Sequence, residues 1–200
     1  MTTTLPLPRR GTALVDHVVP RTALGDVILV GAGAALTAFA AQIVVPLSPV
    51  PFTLQTFSVL LVGASLGSLR GALSMLVYLV AGTLGVPVFA AASAGADAVL
   101  GATGGYLVGF VLAAWLVGRI VERTGTSPLR TAAGLLAGSA VVYAVGVPWL
   151  AVSLGISLDD AAAAGLSPFL AGDAIKLAAA AILLPTAAAV GARVARRDER

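Results

Sequence analysis

Leu24-Gly25-Asp26-Val27-Ile28-Leu29-Val30-Gly31-Ala32-Gly33-Ala34-Ala35-Leu36-Thr37-Ala38-Phe39-Ala40-Ala41-Gln42-Ile43-Val44-Val45 carries a single charge, Asp26, close to its start. A helix needs about 20 predominantly apolar residues to cross the hydrocarbon core of a bilayer, and this run has that length. Arg9, Arg10, Asp16, His17 and Arg21 precede it, with Pro6, Pro8 and Pro20 opposing a helix there. A cleavable leader has a shorter apolar core and a small-residue cleavage site soon after it. The run is therefore expected to be a retained first span, behind a cytoplasmic tail over residues 1–23.

Further apolar runs follow at 54–69, 71–90, 104–121, 130–152 and 168–192. They are separated by the proline cluster Pro46-Leu47-Ser48-Pro49-Val50-Pro51, a tight turn at 68–70, a small-residue loop at 91–103, and connections at 122–128 and 154–167. Pro87 interrupts the third run, and Pro148 and Pro185 lie inside the fifth and sixth. A proline in a span frees a carbonyl that a neighbouring helix or water must satisfy; a packing kink and a cavity lining are both compatible with it. The pattern predicts an all-α integral membrane protein of six transmembrane helices, with a membrane domain over 24–193 and a basic tail over 194–200.

Composition agrees. Of the 200 residues 58% are hydrophobic and 10% charged, against about 45–50% and about 25% in soluble domains. The mean hydropathy is +1.01. A water-soluble globule of this size cannot hide so much apolar surface, and a disordered chain has the opposite composition. The formal net charge is +3, which in this context reads as membrane topology rather than nucleic-acid binding. There is no cysteine, so disulfides, iron–sulfur clusters and thiolate metal sites are excluded.

Charge placement sets the orientation. Six spans put Arg9, Arg10, Arg21, Arg70, Arg119, Arg123, Arg130, Arg193, Arg196, Arg197 and Arg200 on one side, while the opposite loops hold only Asp97, Asp159 and Asp160. By the positive-inside rule both termini are expected in the cytoplasm. Small residues recur at four-residue spacing in Gly31/Ala35, Ala34/Ala38, Gly63/Gly67/Gly71, Gly101/Gly105/Gly109 and Gly134/Gly138. Such spacing lets helix backbones approach closely, within the bundle or against another membrane subunit.

Two ionisable residues fall inside a span. Asp173 and Lys176, the latter the lone lysine, are three residues apart and share a helix face. Counted from Ser167 they lie about 9–14 Å in from the outer end. Intramembrane charges are costly and face a site or one another, so the pair is either a polar clamp at the floor of an outward-facing pocket or a structural lock between helices. Gln55, just after Pro49-Val50-Pro51-Phe52-Thr53-Leu54, must satisfy an amide inside the membrane through helix or ligand bonding. Gly104, Gly105 and Tyr106 open the fourth span, and two glycines permit close backbone approach. Tyr106, Tyr143 and Trp149 are either belt aromatics or pocket walls. The sequence has no phosphate-binding loop of the G-x-x-x-x-G-K type, no His or Cys set for a metal, and no nucleophile–base pair; enzymatic chemistry and cofactors are not expected.

These segments in this order resemble the BioY family of biotin-binding S components of energy-coupling factor (ECF) transporters. The resemblance runs from about Ala34 to Pro185. It rests on Ala34-Ala35-Leu36-Thr37-Ala38 with Gln42 and Ile43, Pro49 to Thr56, Arg70-Gly71-Ala72-Leu73, Gly85-Val86-Pro87-Val88-Phe89, Gly101-Ala102-Thr103-Gly104-Gly105-Tyr106, and Gly172-Asp173 with Lys176. Ala102 stands where the family often has proline, which loosens that loop.

The resemblance implies capture of biotin from outside the cell, and partners comprising a membrane T subunit and two ATPases, with self-oligomers as the other arrangement. It implies docking of the T subunit on the Ala34-x-x-x-Ala38 stripe. It also implies a binding set of Asp173, Lys176 and Gln55 with Phe52, Tyr106, Tyr143 and Trp149 as aromatic surroundings and Gly104 and Gly105 at the loop. An S component for another vitamin, or an assembly protein whose Asp173–Lys176 pair only locks helices, are the competing readings.

Overall fold

The computed structural model describes residues 13–17, 19, 22–124 and 128–180. The tails at 1–12 and 194–200, Pro185 and the last part of the sixth run lie outside the described residues.

The apolar runs become helices. They are α1 (Ala23–Gln42), α2 (Gln55–Leu66), α3 (Ser68–Thr83), α4 (Ala96–Leu100), α5 (Gly104–Thr124), α6 (Pro128–Leu154), α7 (Leu158–Gly165) and α8, which is described over 170–180. Two two-residue strands, β1 (Val44–Val45) and β2 (Phe52–Thr53), pair antiparallel with Val44 opposite Thr53 and Val45 opposite Phe52. This is an all-α membrane protein. Three helices, α1, α5 and most of α6, are long and apolar enough to cross a bilayer, and α2 and α3 are shorter apolar helices.

The termini follow local chemistry. Thr22 caps α1 by accepting the Gly25 N–H at 3.0 Å, as short hydroxylated side chains do at helix starts. The second and third runs are separate helices because Gly67 sits at φ +86°, a left-handed conformation natural to glycine. The Glu122 carboxylate accepts the Ser68 N–H at 2.7 Å, placing an anion at the start of α3. Arg70 holds Asp16 at 2.6 Å and Asp26 at 2.5 Å, pinning the segment before α1 to this end of the bundle. The small-residue loop at 91–103 and the connection at 154–167 contain α4 and α7. Ser157 caps α7 by accepting the Asp160 N–H, a serine-to-acid spacing that announces a helix start.

The packing core is α5, which lies against α6, α3 and α2. Small residues make this approach possible. A β-carbon on Gly63 would meet the Ala114 carbonyl at 2.5 Å, and one on Gly71 would meet Gly63 Cα at 2.9 Å. The Gly63/Gly67/Gly71 stripe thus closes the bundle upon itself. On α1 the Ala34/Ala38 stripe lies on the side of the helix turned toward the bundle, Ala34 buried and Ala38 half-buried. Ala34 is buried in the core, with Ala38 packed against it. The small residues of α1 that face outward are Gly31, Ala32 and Ala35, beside exposed Ile28 and Phe39. Both faces of α1 are apolar, so close packing rather than polarity decides which turns inward: a β-carbon on Gly33 would meet Ser74 Oγ at 2.5 Å.

Candidate functional site

Asp173 and Lys176 project from the first turns of α8 into the bundle, at 6% and 8% exposure. Such burial demands partners, and each has several. The Lys176 ammonium donates to the Thr53 carbonyl at 2.7 Å, Thr56 Oγ1 at 3.0 Å and Asp173 Oδ1 at 3.0 Å. It also lies 3.9 Å from the centre of the Phe52 ring, a cation–π arrangement. All three ammonium donors are therefore engaged. Asp173 Oδ2 accepts from the Tyr143 hydroxyl of α6. A carboxylate offers about four lone-pair sites, so Asp173 keeps acceptor capacity toward the space it faces.

The loop between α1 and α2 supplies the opposite wall. The β1–β2 pairing folds Pro46 to Pro51 into a hairpin tip and delivers Phe52, Thr53 and Gln55 to the site. Phe52 stacks on Phe169 with centroids 5.9 Å apart and planes 14° apart. Gly172 lets the Phe52 ring lie directly against α8, since a β-carbon there would collide with it. The Gln55 amide is fully directed: Nε2 donates to the Tyr78 hydroxyl at 2.7 Å, and Oε1 accepts from Thr53 Oγ1 at 2.9 Å. Tyr106 donates to the Gly165 carbonyl at 2.9 Å and meets Tyr143 edge to face at 6.2 Å.

Between these walls is a cavity of about 360 Å³, the size of a small-molecule site. Asp173, Lys176, Thr53, Thr56 and Gln55 give it polar groups. Phe89, Tyr106, Phe110, Tyr143, Phe169 and Val50 give it apolar walls. Burial runs from one end to the other: Asp173 and Lys176 are buried, whereas Ser93 and Asp97, which also line it, are exposed. The first pair is the floor and the second the rim.

Five of the nine predicted ligand residues, Asp173, Lys176, Gln55, Tyr106 and Tyr143, line this space. Phe52 stands behind the floor, under Lys176. Trp149, Gly104 and Gly105 lie outside the lining. The Trp149 indole N–H donates to the Gly101 carbonyl at 2.9 Å, and β-carbons on Gly105 and Gly104 would meet Trp149 Cγ and Val99 C, each at 2.7 Å. These three lock the α4–α5 turn to α6. Phe110 is a lining residue not singled out from the sequence, although its place four residues after Tyr106 on one helix face was a usable signal. Phe169 and the rim residues carry no comparable signal.

Gln42 is a further contributor. At the end of α1 its Nε2 donates to the carbonyls of Ala38 at 3.0 Å and Phe89 at 3.2 Å, and its Oε1 accepts the Ala92 N–H at 3.0 Å. This clasp holds a loop in which Ala91 and Ala92 sit at φ 53° and 57°, a conformation costing about 1 kcal/mol or more for a residue with a β-carbon. Gln42→Leu is expected to release the loop, raising amide hydrogen exchange at 88–93 by about 5- to 30-fold, as losing about 1–2 kcal/mol of hydrogen bonding predicts. Unchanged protection would mean the loop is held otherwise.

A profile of the BioY family matches residues 12–193. The chain belongs to the BioY family. The probable biotin transporter BioY of Pyrococcus horikoshii is 41% identical over 158 residues, 79% of this chain and 93% of that protein. The biotin transporter BioY of Thermotoga maritima is 40% identical over 158 residues, 79% and 92% of the two chains. Among solved structures, the S-component for biotin from an ECF-type ABC transporter superposes with a TM-score of 0.75 over 82% of this chain and 92% of that one. At 24% identity that likeness concerns the fold. The BioY segments of the sequence converge here: Pro49 to Thr56 and Asp173 with Lys176 meet at the cavity, and Gln42 holds the loop at 88–93 beside it.

Proposed function

We propose that this chain captures biotin at the outer face of a prokaryotic cytoplasmic membrane and carries it inward as the substrate-specific component of an ECF-type transporter. The observation that carries this reading is the buried Asp173–Lys176 pair at the floor of an apolar-walled cavity. Biotin presents a rigid bicycle with two ureido N–H donors at one end, an apolar thioether ring, and a valeryl chain ending in a carboxylate. Asp173 keeps free lone pairs and accepts the ureido N–H groups. Lys176 pairs with Asp173 and ties α8 to Thr53 and Thr56. Tyr106, Tyr143, Phe110 and Phe169 bury the fused rings. Charge-assisted bonds of this kind give about 1.5–3 kcal/mol each. The ligand is bound and released without chemical change, so the role is not enzymatic.

We infer that the chain crosses the membrane in six spans over 24–193, with the tails at 1–23 and 194–200 in the cytoplasm. Transport is powered by a T subunit and two ATPases, or proceeds through self-association, because the chain has no phosphate loop of its own. Single cysteines at Ala94 and Leu129 test the orientation, since the chain lacks native cysteine. An impermeant maleimide is expected to label Ala94→Cys from outside and Leu129→Cys only after permeabilisation; the reverse pattern would overturn the topology.

Function is tested by uptake of radiolabelled biotin in a biotin-requiring host lacking its own transporter. Expression is expected to restore accumulation, more strongly with the T subunit and ATPases present, and Asp173→Asn to abolish it. Uptake of a different vitamin in place of biotin would overturn the substrate assignment.

A further inference from the structure

The cavity is polarised in a way that bears on substrate class, granted the biotin reading above. Its floor is the Asp173–Lys176 pair, and its exposed rim carries Asp97. Among the described lining residues Lys176 is the sole cation, and its three donors are already held by Thr53, Thr56 and Asp173. The rim hydroxyl of Ser93 donates to the Ala90 carbonyl at 2.8 Å. The sequence has no other Lys or Arg from 71 to 118 or from 131 to 192, so that face of the protein is acidic. With its bicycle on Asp173, biotin directs its valeryl chain toward the rim. There its carboxylate meets Asp97 and no positive side chain.

We propose that the site recognises the ureido bicycle and leaves the carboxyl end ungripped, so that this protein also takes carboxyl-derivatised biotins: neutral amides, the lysine amide biocytin and short biotinyl peptides. Such amides are the products that peptide-bond hydrolysis releases from proteins biotinylated on lysine. An amide removes the negative charge that Asp97 opposes. An amide bearing an amino group adds a positive one that Asp97 attracts, an exposed interaction of modest size that salt screens.

The test is a calorimetric titration of the purified full chain in detergent with biotin, biotinamide, biocytin and N-(2-aminoethyl)biotinamide, at low and high salt. Biotinamide and biocytin are expected to bind within about threefold of biotin or more tightly. The aminoethyl amide is expected to exceed biotinamide by about two- to five-fold at low salt, a margin that shrinks in high salt and in Asp97→Asn. A loss of tenfold or more on amidation, with biotin itself bound, would overturn this proposal alone and would place the carboxylate on a donor such as the opening turn of α5. Failure of biotin and every amide to bind would overturn the functional reading and this proposal together.

Discussion

Asp173→Asn is expected to lower biotin affinity by about 30- to 1000-fold in a protein that still folds. The substitution keeps the size of the side chain and swaps an acceptor-only carboxylate for an amide. That amide can accept through only one of its two heavy atoms. Tyr143 and Lys176 both direct donors at Asp173, so its remaining oxygen is drawn to them and the amide NH₂ is turned toward the ligand. The ureido N–H groups then face a donor. Losing a charge-assisted bond and stranding a polar group together cost about 2–4 kcal/mol, which gives the stated range. Titration of the variant with biotin, alongside its melting temperature in detergent, is the check. Native-like affinity in the folded variant would remove Asp173 from the binding role.

Lys176→Met has the larger effect on stability. It leaves the Asp173 carboxylate buried without its cation, and it strips the Thr53 carbonyl and Thr56 hydroxyl of their shared donor. Breaking one side of a buried ion pair costs about 3–5 kcal/mol, so thermal unfolding in detergent is expected to fall steeply. The double variant Asp173→Asn with Lys176→Met removes the orphaned charge and is expected to recover most of that loss, because two uncharged side chains no longer need each other. It should fold and still fail to bind biotin. A folded double variant that binds as the parent does would reduce the pair to a lock between α8 and the loop before α2.

The fold was legible wherever lipid demands a long apolar run. The run 104–121 became α5 and the run 130–152 became α6 with only small shifts at the ends. The Asp173–Lys176 spacing also reported a shared face truthfully, because a charge inside a membrane has few places to go. The inward face of α1 was not legible. In water one side of a helix is polar and the other apolar, but in lipid both are apolar, so hydrophobic periodicity loses its meaning. The four-residue spacing of small residues therefore does not tell that Ala34 turns inward while Gly31, Ala32 and Ala35 stay exposed. Trp149, readable from the sequence as a belt aromatic or a pocket wall, stands outside the cavity lining. Position near an interface does not tell which way an indole turns, and here it turns to the Gly101 carbonyl.

The cavity itself was beyond reach of the sequence because it is assembled from distant segments. Lys176 bonds to residues more than a hundred positions earlier in the chain. The rim depends on Gln42 reaching across to Phe89 and Ala92. Such contacts follow from how α1, α2 and α8 pack, and no local pattern specifies them.

The cavity floored by Asp173 and Lys176 is the proposed biotin site. The most direct measurement is saturation binding of radiolabelled biotin to the purified chain in detergent, without ATP or partner subunits, and with excess thiamine or riboflavin as competitor. One biotin per chain is expected, undisturbed by either competitor. No saturable biotin binding to folded protein, or displacement of biotin by another vitamin, would contradict it.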